Sequence, residues 1–186
     1  MEAIKKVELN KIAKVVLTAA LGTLLLTISA KIKIPFYPVP MTMQTFVVLF
    51  LGITLGPKIG LLTVSLYLFE GIFGLPVFAG TPDKGIGLVY FTGPTMGYLI
   101  GFLIAVYFAG LFKYDKGPIN TFLKLIFSVS FIYILGLIWL GTLIGWNKPI
   151  FKLGAEPFLL AELFKMLLLL FLTPTLLKVQ KLIKII

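Results

Sequence analysis

Glu162 and Lys165 stand three residues apart inside "AEPFLLAELFKMLLLLFL" (155–172), the most apolar run of the chain. A carboxylate accepts N–H donors and an ammonium donates to oxygens, so together they suit a small polar ligand. At i, i+3 spacing on a helix they share one face. Pro157 fits the first turn of that helix and Glu156 its positive N-terminal end, which sets the start near residue 156. At 1.5 Å rise per residue the two charges then lie roughly 8 and 12 Å along it. A charge at mid-membrane costs on the order of 2.5–3.5 kcal/mol on insertion scales, so the expected setting is an interior cavity. The competing setting is a self-neutralising structural pair, or a lysine that snorkels to the interface.

The elements that carry these residues follow from composition. The chain has 186 residues, is 59% hydrophobic and has a mean hydropathy of +1.07, well above the roughly 45–50% apolar usage of soluble domains. It reads as an all-α integral membrane protein, a compact bundle of six transmembrane helices in a single membrane domain over 1–186. The spans are placed at approximately 11–30, 44–55, 58–73, 94–112, 121–145 and 156–177. Gly56-Pro57 separates the second from the third. The first stretch lacks an A-x-A-like cleavage site and reads as a retained helix rather than a signal peptide.

Lysines set the orientation. With both termini on one side, Lys5, Lys6, Lys11, Lys14, Lys58, Lys113, Lys116, Lys124, Lys178, Lys181 and Lys184 fall together, while Lys31, Lys33, Lys84, Lys148 and Lys152 fall opposite. The positive-inside rule then makes both termini cytoplasmic in a multi-pass protein of the cell membrane. Segments 31–45 and 74–98 come to the outer side. Phe36, Tyr37, Phe78, Tyr90 and Phe91 there form either the walls of a site for a small amphipathic ligand or an interfacial belt. Glu70, near the outer end of the third span, either lines the same cavity, caps a helix or pairs with Lys84.

Several functions are excluded by what is missing. Without Cys or His there are no disulfides, no thiolate or imidazole metal ligands and no Ser-His or Cys-His nucleophile pair. Without Arg there is no guanidinium fork for phosphate or guanine, so a nucleic-acid partner is not expected. No Walker A lysine motif occurs. No repeat relates the two halves, which argues against an inverted-repeat transporter. Gly52, Gly56 and Gly60, then Gly93, Gly97 and Gly101, recur at four-residue spacing, as do Gly141 and Gly145, and read mostly as close helix packing. Ala19, Thr23 and Thr27 form a further small stripe on the first span, serving either internal packing or a partner interface.

The runs "VPMTMQT" (39–45), "LGP" (55–57), "GLPVFAG" (74–80), "GPTMGY" (93–98) and "PFLLAELFK" (157–165) occur in order over nearly the whole chain. Together they resemble the BioY family, the biotin-specific substrate-binding (S) components of energy-coupling-factor transporters. The resemblance implies a six-helix membrane fold with a ligand site near the outer face and high-affinity capture of biotin there. It further implies delivery through a transmembrane coupling (T) component and two cytoplasmic ATPases, with no cofactor in the chain itself and ATP used only by those partners.

The family's last motif usually reads Asp-x-x-Lys; Lys165 matches, and Glu162 replaces the Asp with a side chain one methylene longer. By resemblance Glu162 accepts the ureido N–H groups of biotin and Lys165 donates a hydrogen bond or charge contact. The family's loop after "VFAG" supplies polar contacts, which makes Thr81 and Lys84 candidates beside Phe78 and Gly80 of the motif itself, with Asp83 weaker. Gln44 and Tyr98 match motif positions and either line the cavity or brace helices; Tyr90 joins them as an aromatic candidate. Met96 stands where the family commonly has Gly, and "TPDK" (81–84) is a further departure. Small-residue motifs on the family's first helix, implicated in docking to the T component, resemble Ala19, Thr23 and Thr27.

The leading expectation is therefore a biotin-binding S component and not an enzyme. The alternatives are an S component for another vitamin, an intramembrane enzyme using Glu162 as general acid or base, and a purely structural helix bundle.

Overall fold

The computed structural model describes the backbone of residues 2–35 and 37–184 and the side chains of residues 12–35 and 37–183. Phe36, among the expected aromatic walls, and the side chains of Lys5, Lys6, Lys11 and Lys184, used for orientation, lie outside the described residues. The elements in chain order are helix α1 (Glu2–Lys31), a two-stranded hairpin of β1 (Lys33–Ile34) and β2 (Met41–Thr42), then helices α2 (Gln44–Ile72), α3 (Met96–Leu111), α4 (Gly117–Ile144), α5 (Ile150–Gly154) and α6 (Leu159–Lys184). The strands are antiparallel, with Lys33 opposite Thr42 and Ile34 opposite Met41.

Four helical stretches, Ile12–Lys31, Gln44–Ile72, Gly117–Ile144 and Ile150–Ile183, are long and apolar enough to cross a membrane, and Met96–Leu111 is a shorter apolar helix. The surface has the polarity a bilayer demands: Val16, Leu21, Phe164 and Phe171 are exposed while Thr54, Thr63, Ser128 and Thr173 are buried. Each of those hydroxyls donates to a carbonyl one turn back in its own helix, so none of the four is buried unpaired.

The second and third expected spans are the two arms of α2. Gly56 departs from the helix at φ 76° and ψ 176°, a left-handed conformation that costs a residue without Cβ little, and Pro57 removes the next backbone donor. The consequence is a reversal. A straight helix would hold Gln44 and Tyr67 roughly 34 Å apart at 1.5 Å per residue, yet Gln44 Nε2 donates to the Tyr67 hydroxyl at 2.8 Å. The two arms run side by side, close enough that a Cβ on Gly60 would lie 3.5 Å from the Gly52 Cα.

The second glycine row does the same between helices. A Cβ on Gly101 would stand 2.9 Å from the Phe131 carbonyl oxygen and 2.5 Å from the Ile132 Cα, so α3 and α4 touch backbone to backbone there. α3 thus lies between α2 and α4, and α2 also packs on α1 and α6. α6 runs beyond the expected end at 177, through Pro174 to Lys184. The Thr173 hydroxyl takes up the Leu169 carbonyl at 2.7 Å just before the proline. The row at Gly101 sets one prediction: Gly101→Ala should lower stability by about 1–3 kcal/mol through overpacking, measured by unfolding of the detergent-solubilised chain. Ile100→Ala, on the lipid-facing side of the same turn, should stay within about 0.5 kcal/mol.

Candidate functional site

α6 enters through a 3-10 turn, Glu156–Phe158, which starts the helix where Pro157 suggested. Glu162 falls in its first turn and Lys165 one turn on. Both are buried, at 4% and 7% exposure, and their ion pair is 2.7 Å long, the one salt bridge among the described residues. The ammonium has three protons and three partners: Glu162 Oε1 at 2.7 Å, the Thr42 carbonyl at 2.6 Å and Thr45 Oγ1 at 3.1 Å. The Thr45 hydroxyl donates in turn to Glu162 Oε1 at 2.8 Å. Carboxylate, ammonium and hydroxyl therefore close a ring across the gap between α6 and the start of α2.

A cavity of about 50 Å3 borders this ring. Its walls come from the hairpin and the first turn of α2, from Ala79 and Tyr90 in the 73–95 connection, from α3 through Tyr98 and Phe102, from α4 through Tyr133, and from Phe158. The aromatic side is rigid by contact: Tyr98 meets Tyr133 edge-on at 6.1 Å between ring centres, and Tyr133 lies 6.5 Å from Phe158. A space this small is well under the about 300–1,000 Å3 of sites for drug-sized ligands, so admitting one requires the walls to separate. A charged, hydrogen-bonding end opposite an aromatic slot is the arrangement that orients a small amphipathic molecule.

Around the cavity the wall is held by phenols. Tyr98 donates to the Gly154 carbonyl at 2.8 Å, and Tyr90 to the Ala79 carbonyl at 2.8 Å. Burial pushes the Tyr90 phenol up from its ordinary pKa. Tyr67, which receives Gln44, passes its own proton to the Val77 carbonyl at 3.0 Å. Phe78 is sandwiched behind, 4.8 Å from Tyr90 and 5.2 Å from Tyr67 between ring centres.

Of the candidate ligand-binding residues, Glu162, Lys165, Gln44, Tyr98 and Tyr90 line the cavity together. Phe78, Gly80 and Thr81 are buried in the connection behind Ala79 and do not line it. Lys84 is exposed, and Glu70 is half-buried; neither lines the cavity, and no ion pair joins them among the described residues. Tyr37 points out to 92% exposure, while Phe91 packs on Phe78. Ala19 and Thr23 are buried and Thr27 half-buried, on the face of α1 that packs on α2. Beside them a Cβ on Gly22 would run into the Thr63 side chain.

Sequence reasoning missed Thr45, although it closes the "VPMTMQT" run, and missed Tyr133, which lines the cavity together with Glu162. Thr45 was legible as the last polar position of a quoted motif. Tyr133 carried no signal, being one aromatic residue in an apolar helix.

A sequence model of the BioY family matches residues 3–182. A protein of Pyrococcus horikoshii named probable biotin transporter BioY is 39% identical over 153 residues, covering 82% of this chain and 90% of that one. The biotin transporter BioY of Thermotoga maritima is 36% identical over 149 residues, covering 80% and 86%. Among solved structures, the S-component for biotin from an ECF-type ABC transporter matches with a TM-score of 0.75 at 27% identity, covering 91% of this chain and 93% of that one.

The ring predicts a measurable coupling. In a double-mutant cycle of Thr45→Val with Glu162→Met, unfolding of the ligand-free chain should give an interaction of about 1.5–3 kcal/mol, as for a hydrogen bond to a charged group. Additive losses would mean that the hydroxyl does not hold the carboxylate.

Proposed function

Because this chain belongs to the BioY family, we propose that it is the biotin-binding S component of an energy-coupling-factor transporter. It captures biotin at the outer face of the cell membrane for ATP-driven uptake by partner subunits. Its role is transport and not catalysis. The single observation that carries the reading is the buried ring of Glu162, Lys165 and Thr45 at the end of an aromatic cavity.

In this reading Glu162 accepts the ureido N–H groups of biotin and the aromatic side chains of Tyr98, Tyr133 and Phe158 hold its apolar body. Lys165, whose three protons are all engaged within the protein, redirects one of these hydrogen bonds to biotin, which takes the place of the acceptor it leaves. The six long helical segments, counting the arms of α2 separately and leaving out the five-residue α5, cross the membrane with both termini in the cytoplasm. The lysine distribution supports that orientation, and so does the position of the α2 reversal beside Gln180, near the far end of α6 from Glu162. A transmembrane coupling component and two ATPases supply the energised step, since the chain has no phosphate-binding lysine loop of its own.

Titration of the detergent-purified chain with biotin, after mass spectrometry of any molecule carried through purification, tests this directly. Saturable one-to-one binding is expected. A folded, ligand-free chain that ignores biotin would point instead to another small amphipathic vitamin, with Glu162 and residues 81–84 as the altered positions. Glu162→Gln and Lys165→Met should each weaken biotin binding at least tenfold, about 1.4 kcal/mol, with the chain still folded. Unchanged affinity in both would return the pair to a structural role.

A further inference from the structure

Lys31 ends α1, where a lysine ordinarily meets the last carbonyls of its own helix. Here it does something else. Its ammonium reaches the Pro76 carbonyl at 2.7 Å, the Phe78 carbonyl at 3.0 Å, and both the hydroxyl and the carbonyl of Thr81 at 3.0 and 3.2 Å. Three protons serve four oxygens, so the two Thr81 acceptors share one. All of these partners lie 45 to 50 residues away in the chain.

The acceptors follow a pattern. Carbonyls 76 and 78 turn to Lys31, whereas carbonyls 77 and 79 turn the other way, to the hydroxyls of Tyr67 and Tyr90. The irregular run 76–79 is therefore held on one side by a cation and on the other by two phenols. The phenol side leads straight to the ligand cavity. Ala79 and Tyr90 line it, and Tyr67 carries Gln44, which lines it too. On the cation side the anchor is α1, which gives the cavity no side chain among the described residues. Helix α1 is also the least enclosed of the four long apolar stretches, with 28% of its window buried.

We infer that Lys31 is a positioning residue for ligand retention: it fastens the 76–81 segment to α1, and that segment keeps Ala79, Tyr90 and Gln44 closed over the cavity. Release of the four contacts frees the wall on its outer side, so the position of α1 and the closure of the site are linked through one ammonium. The ligand part of this inference rests on the biotin reading above; the fastening does not.

The test uses the full chain in detergent, with and without biotin. In Lys31→Met, amide hydrogen exchange of peptides covering 74–85 should speed up at least tenfold without ligand, and the biotin dissociation rate should rise at least tenfold. Lys31→Arg, which keeps a charged donor of similar reach, should restore most of both. Lys33→Met, which removes a neighbouring charge but none of the contacts, should change neither. Should Lys31→Met fold poorly, Lys31→Gln, which removes the charge and shortens the donor while leaving intact the Thr81 hydroxyl and its own bond to the Phe78 carbonyl, should move exchange in the same direction by a smaller factor. Unchanged exchange in Lys31→Met overturns the inference, and so does faster exchange with an unchanged dissociation rate. If the wild-type chain does not bind biotin, the ligand reading fails separately and the exchange result alone decides whether Lys31 fastens the segment.

Discussion

A carboxylate and an ammonium taken out of water each carry an effective desolvation penalty of several kcal/mol, and the arrangement around Glu162 and Lys165 is organised by the need to offset it. Their mutual contact on α6 is only part of the compensation. The ammonium still needs two more acceptors and the carboxylate a further donor, and these come from Thr42 and Thr45 at the junction of the hairpin with α2. Helix α6 is thereby bound in register to the start of α2, and the cavity forms where the two meet.

The reversal of α2 at Gly56-Pro57 provides the rest of the enclosure. By folding the helix back on itself it returns Tyr67 to the level of Gln44 and delivers the long 73–95 connection over the same end of the bundle. Close approach at Gly101 then brings α3 and α4 together, so that Tyr98 and Tyr133 face one cavity from two helices. A binding site with one charged end and aromatic walls arises without any rigid soluble scaffold, from backbone contacts that only glycine permits.

Closure of such a cavity is shared between strong and weak parts of the structure. The ring at Glu162 is buried, and its ammonium has all three protons engaged. The 76–81 segment instead relies on hydrogen bonds from two helices, α1 and α2, and the 87–92 turn, and its outer contacts lie at the surface. A transport component has to bind its ligand tightly and still let it go. A firm polar floor beneath a wall held by separable contacts is compatible with both, since the wall can open while the hydrogen bonds within the floor stay made.

The sequence alone determined the features that depend on local geometry. Apolar composition gave membrane helices, Gly56-Pro57 gave a break in α2, and the i, i+3 spacing placed Glu162 and Lys165 on one face of α6 whatever surrounds it. Motif order pointed to the family and to Gln44 and Tyr98, and aromatic content to Tyr90, all of which the fold gathers with the charged pair. Tertiary structure decided the rest: that Thr45 completes the ring from 117 positions away, that Tyr133 lines the same cavity as Glu162, that Lys84 and Glu70 fall outside it, and that Lys31 turns from its own helix to the 76–81 segment. Helical periodicity fixes a side chain's direction relative to its own axis. Which helix or loop it then meets depends on packing between distant segments, and no local pattern encodes that.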